Sequence, residues 1–158
     1  DRYTWIDQGS SFGMSDLLAA FLLGQIEQRT NVMEKRKKLF TRYHKLLSPL
    51  EESLGIEIPA ISETHRSAYH TFYVLVSGEG RRDAVLQELN ESGIGATFHY
   101  QPLHRSEGAQ PWVKRKFDCP ISDSVSNRII RLPFFDALTD SEFNRVAETL
   151  TGALRHTA

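Results

Sequence analysis

Between Ser15 and Leu50 the chain reads as one long helix with two unlike halves. The first half, Leu17-Leu18-Ala19-Ala20-Phe21-Leu22-Leu23-Gly24, is apolar on every side, which predicts a segment covered from more than one direction. In the second half Met33, Phe40, Tyr43, Leu47 and Leu50 recur at helical spacing, while Arg29, Lys35, Lys37, Lys38 and Lys45 take the other faces. That is the pattern of a helix lying on a core, and Pro49 marks its end. At about 1.5 Å per residue such a helix is roughly 50 Å long, against a radius of gyration of about 15 Å for a compact chain of this size. Either the helix bends near Gly24, or its apolar half packs on something outside this sequence. The second is the expectation.

Downstream, Gly55-Ile56-Glu57-Ile58-Pro59 alternates briefly and is closed by proline, which predicts an edge strand. Thr71-Phe72-Tyr73-Val74-Leu75-Val76-Ser77 is rich in aromatic and β-branched residues and ends at Gly78-Glu79-Gly80, the strongest strand signal in the chain. Arg82 to Ser92 predicts a helix with Val85, Leu86 and Leu89 on one face and Gly93 as its stop. Ile94 to Phe98 reads as a second strand, which makes a strand, helix, strand unit. From His99 to about Pro120 the pattern is irregular. Ser122 to Ile130 is a short helix candidate, Ile129 to Phe135 an apolar run, and Thr139 to Leu154 an amphipathic helix. Thr139 is its cap, Glu142 the capping-box partner, and Phe143, Val146 and Leu150 its buried face. The expected fold class is α+β, a small sheet with packed helices hung on one long helix.

Composition narrows the class. With 158 residues the chain predicts one domain with a real core, and a formal charge of -1 gives no general attraction to nucleic acid or an anionic membrane. The Lys35-Arg36-Lys37-Lys38 run reads as a solvated helix face. Cys119 is the single cysteine, so there is no disulfide framework and a reducing, cytoplasmic setting is the default. Leu17 to Gly24 is far short of a membrane span, and no signal-peptide pattern is visible. The chain opens Asp1-Arg2-Tyr3 without methionine, as a processed piece or the tail of a longer protein would.

Candidate chemistry lies in two loops. Gly9, Ser10, Ser11 and Gly13 precede the long helix, where free backbone N–H groups, the helix dipole and serine hydroxyls can hold an anion such as a phosphate. Ser15 acting as a helix cap, with Ser10 and Ser11 as linker, explains the same letters. His99-Tyr100-Gln101-Pro102-Leu103-His104 follows a predicted strand, a place where scaffolds display functional groups. A zinc site drawn from His99, His104 and Cys119 matches no standard spacing. A Cys119/His104 nucleophile pair lacks any local sign of an activated thiol. His70, at a strand start, reads as a satisfied structural histidine.

Taken in order, Trp5-Ile6-Asp7-Gln8-Gly9-Ser10-Ser11-Phe12-Gly13-Met14-Ser15-Asp16, Ala19-Ala20, Gln25-Ile26-Glu27, His70-Thr71-Phe72-Tyr73, Gly93-Ile94, the His99 to His104 loop and Arg131-Leu132-Pro133 resemble the C-terminal part of a DegT/DnrJ/EryC1/StrS sugar aminotransferase. The Gly-Ser-Ser version is most similar to the 4-aminotransferases that convert dTDP-4-keto-6-deoxyglucose to dTDP-4-amino-4,6-dideoxygalactose, and implies a role in lipopolysaccharide or surface-polysaccharide biosynthesis. The resemblance implies the small C-terminal domain of a fold type I pyridoxal 5'-phosphate enzyme. Residues 1–14 would be the end of a missing N-terminal large domain together with the cofactor-phosphate loop, 15–50 the interdomain helix and 51–158 the small domain. Where the family has Gly-x-Asn-x-Arg-Met and its asparagine reaches the cofactor phosphate of the neighbouring subunit of a homodimer, this sequence has Ser11, with Gly13 in place of the arginine. Ser10 and Ser11 are the implied cofactor contacts, and His99, Tyr100 and His104 the implied nucleotide-sugar contacts. None of Lys35, Lys37, Lys38, Lys45, Lys114 and Lys116 resembles the family's cofactor lysine. No catalytic residue is therefore expected here, and the chain alone is expected to be inactive, the amino donor of the complete enzyme being glutamate. The competing expectation is a non-catalytic α+β binding module that docks a partner through Leu17, Leu18, Phe21 and Leu22.

Overall fold

The computed structural model describes residues 4, 6, 7, 9, 13–62, 64–65, 67–112 and 118–157. The long helix is two helices, α1 (Asp16–Glu27) and α2 (Arg29–Leu47). They meet at Gln28, which leaves helical geometry (φ -88°, ψ 5°) while its N–H still reaches Gly24 O at 3.3 Å. The interruption thus falls at Gln28 rather than Gly24. No residue of α1 is buried, and Leu17 and Phe21 are 83% and 69% exposed. The all-round apolar half finds no cover among the described residues.

On α2 the one-sided pattern holds, with Leu39, Phe40, Tyr43 and Leu47 buried. A 3₁₀ turn over Ser48–Leu50, started by Pro49, leads into the short helix α3 (Glu51–Leu54). Gly55 ends α3 in the left-handed region (φ 56°), a conformation that costs a side-chain-bearing residue more. Next come β1 (Ile56–Glu57) and β2 (Tyr73–Val76), paired antiparallel with Ile56 opposite Val76. β3 (Ile129–Arg131) pairs antiparallel with the other side of β2, Val74 opposite Ile130. The sheet order is β1-β2-β3, so the expected edge strand is at an edge.

The strand expected over Ile94 to Phe98 is not formed. Ala96 N–H bonds back to Ile94 O at 2.8 Å, a tight γ-type turn that breaks a ladder. Thr97 alone then bridges to Arg131, with N–H···O contacts of 3.2 and 2.7 Å. Ile94 and Ala96 are buried as core residues nonetheless. The strand, helix, strand unit is therefore replaced by an antiparallel sheet whose third strand comes from the apolar run at 129–135.

Three helices complete the molecule: α4 (Arg81–Glu91), α5 (Pro120–Arg128) and α6 (Asp140–His156). Thr139 caps α6 in a full capping box, its hydroxyl accepting from Glu142 N–H at 3.2 Å and its own N–H donating to Glu142 Oε2 at 2.8 Å. Phe143, Val146 and Leu150 are buried as the spacing predicts, joined by Ala147, Ala153 and Leu154. The aromatic centre of the core is Phe72, with Phe40 edge-on at 5.0 Å and Tyr43 stacked at 5.1 Å between ring centroids. α4 packs on α6, and α5 lies against β2. The chain that leaves the Thr97 bridge is thereby delivered onto one face of α5.

Candidate functional site

The segment after the Thr97 bridge begins with His99 and Tyr100, whose rings meet edge-on with centroids 3.5 Å apart. The peptide between them is cis. On its other side His99 Nδ1 faces Arg131 Nη1 at 3.5 Å. A guanidinium only donates, so the lone pair of His99 lies at Nδ1 and its proton at Nε2. Burial, the Arg131 charge and His70 all hold the His99 imidazole below the usual histidine range, so the ring is neutral at pH 7. His70 itself is exposed. It acts on His99 through charge.

His104, at the far end of the same loop, sits in the 3₁₀ turn Leu103–Arg105. Its ring is largely buried, and Nε2 lies 3.1 Å from Asp123 Oδ1. That is within ion-pair reach, but the N–H is misaligned and completes no hydrogen bond. The neighbouring Arg105 clasps the same carboxylate with both edges, Nε to Oδ1 at 3.1 Å and Nη2 to Oδ2 at 2.6 Å. The Arg105 hydrogen bond, with His104 adding to it, holds Asp123 below the usual carboxylate range against a smaller opposing effect of burial. One turn along α5, the Ser126 hydroxyl donates to Tyr100 O at 3.1 Å. Arg82 of α4 donates to Ser126 O at 2.7 Å and lies over the Phe98 ring at 5.4 Å.

Between these groups is a cleft of about 460 Å³ lined by Arg82, Phe98, Gln101, Arg105, Asp123 and Asn127. It is not an electropositive pocket. Arg82 is answered by Asp83 at 2.7 Å and Arg105 by Asp123, so both guanidinium charges are matched locally. The N-terminal segment also touches this loop, Thr4 Oγ1 donating to Gln101 Oε1 at 2.5 Å.

Of the residues singled out in the sequence, His99, Tyr100 and His104 thus share one loop but turn to different partners. His99 engages Arg131, Tyr100 is half exposed at 49%, and His104 packs against Asp123. The zinc trio is not assembled, and among the described residues no group of three or more His, Cys, Asp or Glu side chains is gathered as a metal site. Ser10 and Ser11 lie outside the described residues. Ser15 caps α1, its hydroxyl accepting from Leu18 N–H at 3.4 Å, as the capping alternative predicts. Lys35, Lys37, Lys38 and Lys45 are exposed on α2, and Lys114 and Lys116 lie outside the described residues. Asp123, Ser126 and Arg82 carry no signal in the sequence, because each meets the loop only through the tertiary fold. Arg131 was legible as part of Arg131-Leu132-Pro133, though not as the partner of His99.

Residues 1–151 match the model of the DegT/DnrJ/EryC1/StrS aminotransferase family. The chain belongs to that family. Solved structures agree in fold. Spr1654 from Streptococcus pneumoniae, assigned as a sugar aminotransferase and solved in its PMP form, superposes with a TM-score of 0.81 at 24% identity over 92% of this chain and 36% of its own. NtdA from Bacillus subtilis, solved with bound cofactor PMP, gives 0.77 at 26% identity over 94% of this chain and 35% of its own. The aminotransferase TlmJ from Streptoalloteichus hindustanus gives 0.79 at 24% identity over 96% and 40%. This member of the DegT/DnrJ/EryC1/StrS family therefore spans little more than a third of the chains that it resembles. It shares with them the α+β arrangement of a small sheet carried on helices. No helix among the described residues is long and apolar enough to cross a membrane.

Proposed function

We propose that this chain is the interdomain helix and small C-terminal domain of a pyridoxal 5'-phosphate-dependent nucleotide-sugar aminotransferase. The observation that carries the reading is family membership over residues 1–151, joined to an α1 whose apolar residues lie uncovered. In this reading residues 1–14 carry the cofactor-phosphate loop, 15–50 bridge the domains and 51–158 form the small domain. The uncovered face of α1 packs against the large domain. A stand-alone binding module would present the same face, but gives no reason for the family match.

The reaction proposed is transfer of an amino group, from glutamate, to the 4-keto carbon of dTDP-4-keto-6-deoxyglucose in a cytoplasmic homodimer. When bound, the cofactor supplies the electron sink for the transfer. Ser10 and Ser11 would supply hydroxyl donors to its phosphate, ahead of the N-terminus of α1. In this reading the cofactor lysine belongs to the large domain, and the chain alone is inactive. At the other site His99, held neutral, serves as a hydrogen-bonding group toward the sugar rather than as a cation. Tyr100 presents half its side chain to the substrate, and His104 closes the loop behind it.

The test uses the complete polypeptide containing this sequence, scanned for the visible band of bound cofactor and then reduced with borohydride. A reduced cofactor on a lysine peptide outside residues 1–158 supports the reading. A complete protein with no such adduct overturns it in favour of the binding module.

A further inference from the structure

The loop assigned above to the sugar is not held by its own backbone alone. Helix α5 grips it at two points from one face, because Asp123 and Ser126 lie three residues apart and side by side on a helix. Asp123 takes Arg105 in a two-point clasp of 3.1 and 2.6 Å and has His104 Nε2 at 3.1 Å. Ser126, itself only 9% exposed, donates to Tyr100 O at 3.1 Å. The loop's own 3₁₀ turn is closed by Arg105 N–H to Pro102 O at 2.9 Å and Ser106 N–H to Leu103 O at 3.0 Å, which does not fix it relative to the sheet. α5 does, since it runs directly into β3 and packs on β2. Arg82 locks α5 to α4 through Ser126 O at 2.7 Å.

We infer that Asp123 and Ser126 are positioning residues for nucleotide-sugar recognition, setting where Tyr100 and His104 stand. This rests on the reading that the 99–104 loop faces the sugar. Neither side chain needs to touch substrate. A charge-assisted two-point clasp is stronger and more directional than a neutral hydrogen bond, and groups held on rigid elements are placed more closely than groups left on a loop.

The experiment uses the complete holoenzyme and measures the two half-reactions separately by the cofactor's absorbance: nitrogen uptake from the amino donor, then delivery to the nucleotide sugar. In Asp123→Asn and Ser126→Ala the donor half-reaction and the melting temperature stay near wild type. The sugar half-reaction loses roughly 10- to 100-fold in kcat/KM, the scale of a misplaced contact, mainly through KM. Asp123→Glu, which keeps the carboxylate, recovers part of that loss. Amide hydrogen exchange at residues 103–106 quickens in Asp123→Asn. Ser126→Ala, which removes one hydroxyl, carries the test where Asp123→Asn does not fold. A parallel fall of both half-reactions with the melting temperature overturns the inference in favour of a purely structural role. So does an unchanged sugar half-reaction in both variants while His99→Gln and Tyr100→Phe weaken it. If His99→Gln and Tyr100→Phe leave the sugar step untouched, it is the loop's assignment to the sugar that fails. Faster exchange at 103–106 would still show the clasp, without a substrate to position.

Discussion

Arg81 Nη2 donates to Leu154 O at 2.8 Å across 73 residues of chain. The same guanidinium reaches Leu54 O at 2.8 Å, Gly55 O at 3.3 Å, Ser77 O at 3.4 Å and Thr157 Oγ1 at 3.3 Å. Arg81 is only 8% exposed, and among the described residues no carboxylate pairs with it. Its charge is met by the C-terminal ends of α3 and α6, whose last carbonyls carry the negative pole of each helix. One side chain therefore closes two helices and the end of β2 onto the start of α4.

Arg81→Met is expected to destabilise the chain by about 2–4 kcal/mol, because it strands buried carbonyls at two helix ends. Arg81→Lys keeps the charge but loses the planar fork, so it recovers only part of that stability. Urea unfolding of the two variants beside wild type checks this. Equal stability of Arg81→Met and wild type would show that the carbonyls find water instead.

Tyr43 makes the corresponding link for α2. Its ring is fully buried between Phe72 and Phe143, and its hydroxyl donates to Pro133 O at 2.9 Å. Burial drives its ionisation far above the ordinary tyrosine range, with Arg42 opposing weakly. A raised folded-state pKa means that the stability from a neutral Tyr43 is complete below about pH 10. It is lost as pH climbs above that value toward the folded-state pKa. Tyr43→Phe should cost about 1–2 kcal/mol at pH 7 by leaving Pro133 O unpaired. It should also flatten the alkaline loss of stability. Unfolding midpoints from pH 8 to 11 for both proteins provide the measurement, and parallel curves would contradict the assignment.

What the sequence could and could not reveal follows from which forces act locally. α6 was readable because its cap, its capping-box partner and its buried face lie within one segment. β2 was readable from its β-branched and aromatic run, and Gly93 (φ 71°) from the left-handed stop that it supplies after α4. β3 hid inside the run Ile129 to Phe135, where continuous apolarity gives no period to distinguish strand from buried helix. Ile94 to Phe98 looked like a strand because Ile94 and Ala96 are core residues, but a turn at Ala96 spends the hydrogen bonds that a ladder needs. Arg81 carries no local signal in the sequence, since an arginine at a helix start is ordinarily solvated. Its burial exists only once α3 and α6 converge on it. In the site, the loop was legible, whereas its anchors Asp123 and Ser126 were not, since nothing local links them to Tyr100 or Arg105.

The neutral state of His99 can be checked directly. Its proton signals, followed by NMR, should titrate below the ordinary histidine value of about 6.5. In Arg131→Gln the midpoint should rise, because a nearby positive charge that disfavours protonation is gone. His70→Ala should raise it less, as the smaller contributor. A depressed pKa also means that this group's stability contribution is present above about pH 6.5 and declines as pH falls through the folded-state value. A His99 midpoint at or above that of a free histidine would remove the basis for treating the ring as a neutral partner of the sugar.

The last prediction concerns α1. Leu17, Leu18, Phe21, Leu22, Leu23 and Ile26 are all exposed on one twelve-residue helix, an apolar patch larger than a monomer ordinarily leaves in water. The isolated chain should therefore associate in a concentration-dependent way. The double substitution Leu17→Lys and Phe21→Lys should shift it toward monomer in sedimentation velocity. Because these side chains bury nothing among the described residues, the same substitutions should change the unfolding free energy of the remainder by no more than about 0.5 kcal/mol. In the complete protein the outcome should invert. There the same lysines would lie against the large domain, and should lower the melting temperature and weaken cofactor retention. Isolated and complete proteins responding alike would mean that α1 faces solvent in both. The proposed domain arrangement would then lose the observation that carries it.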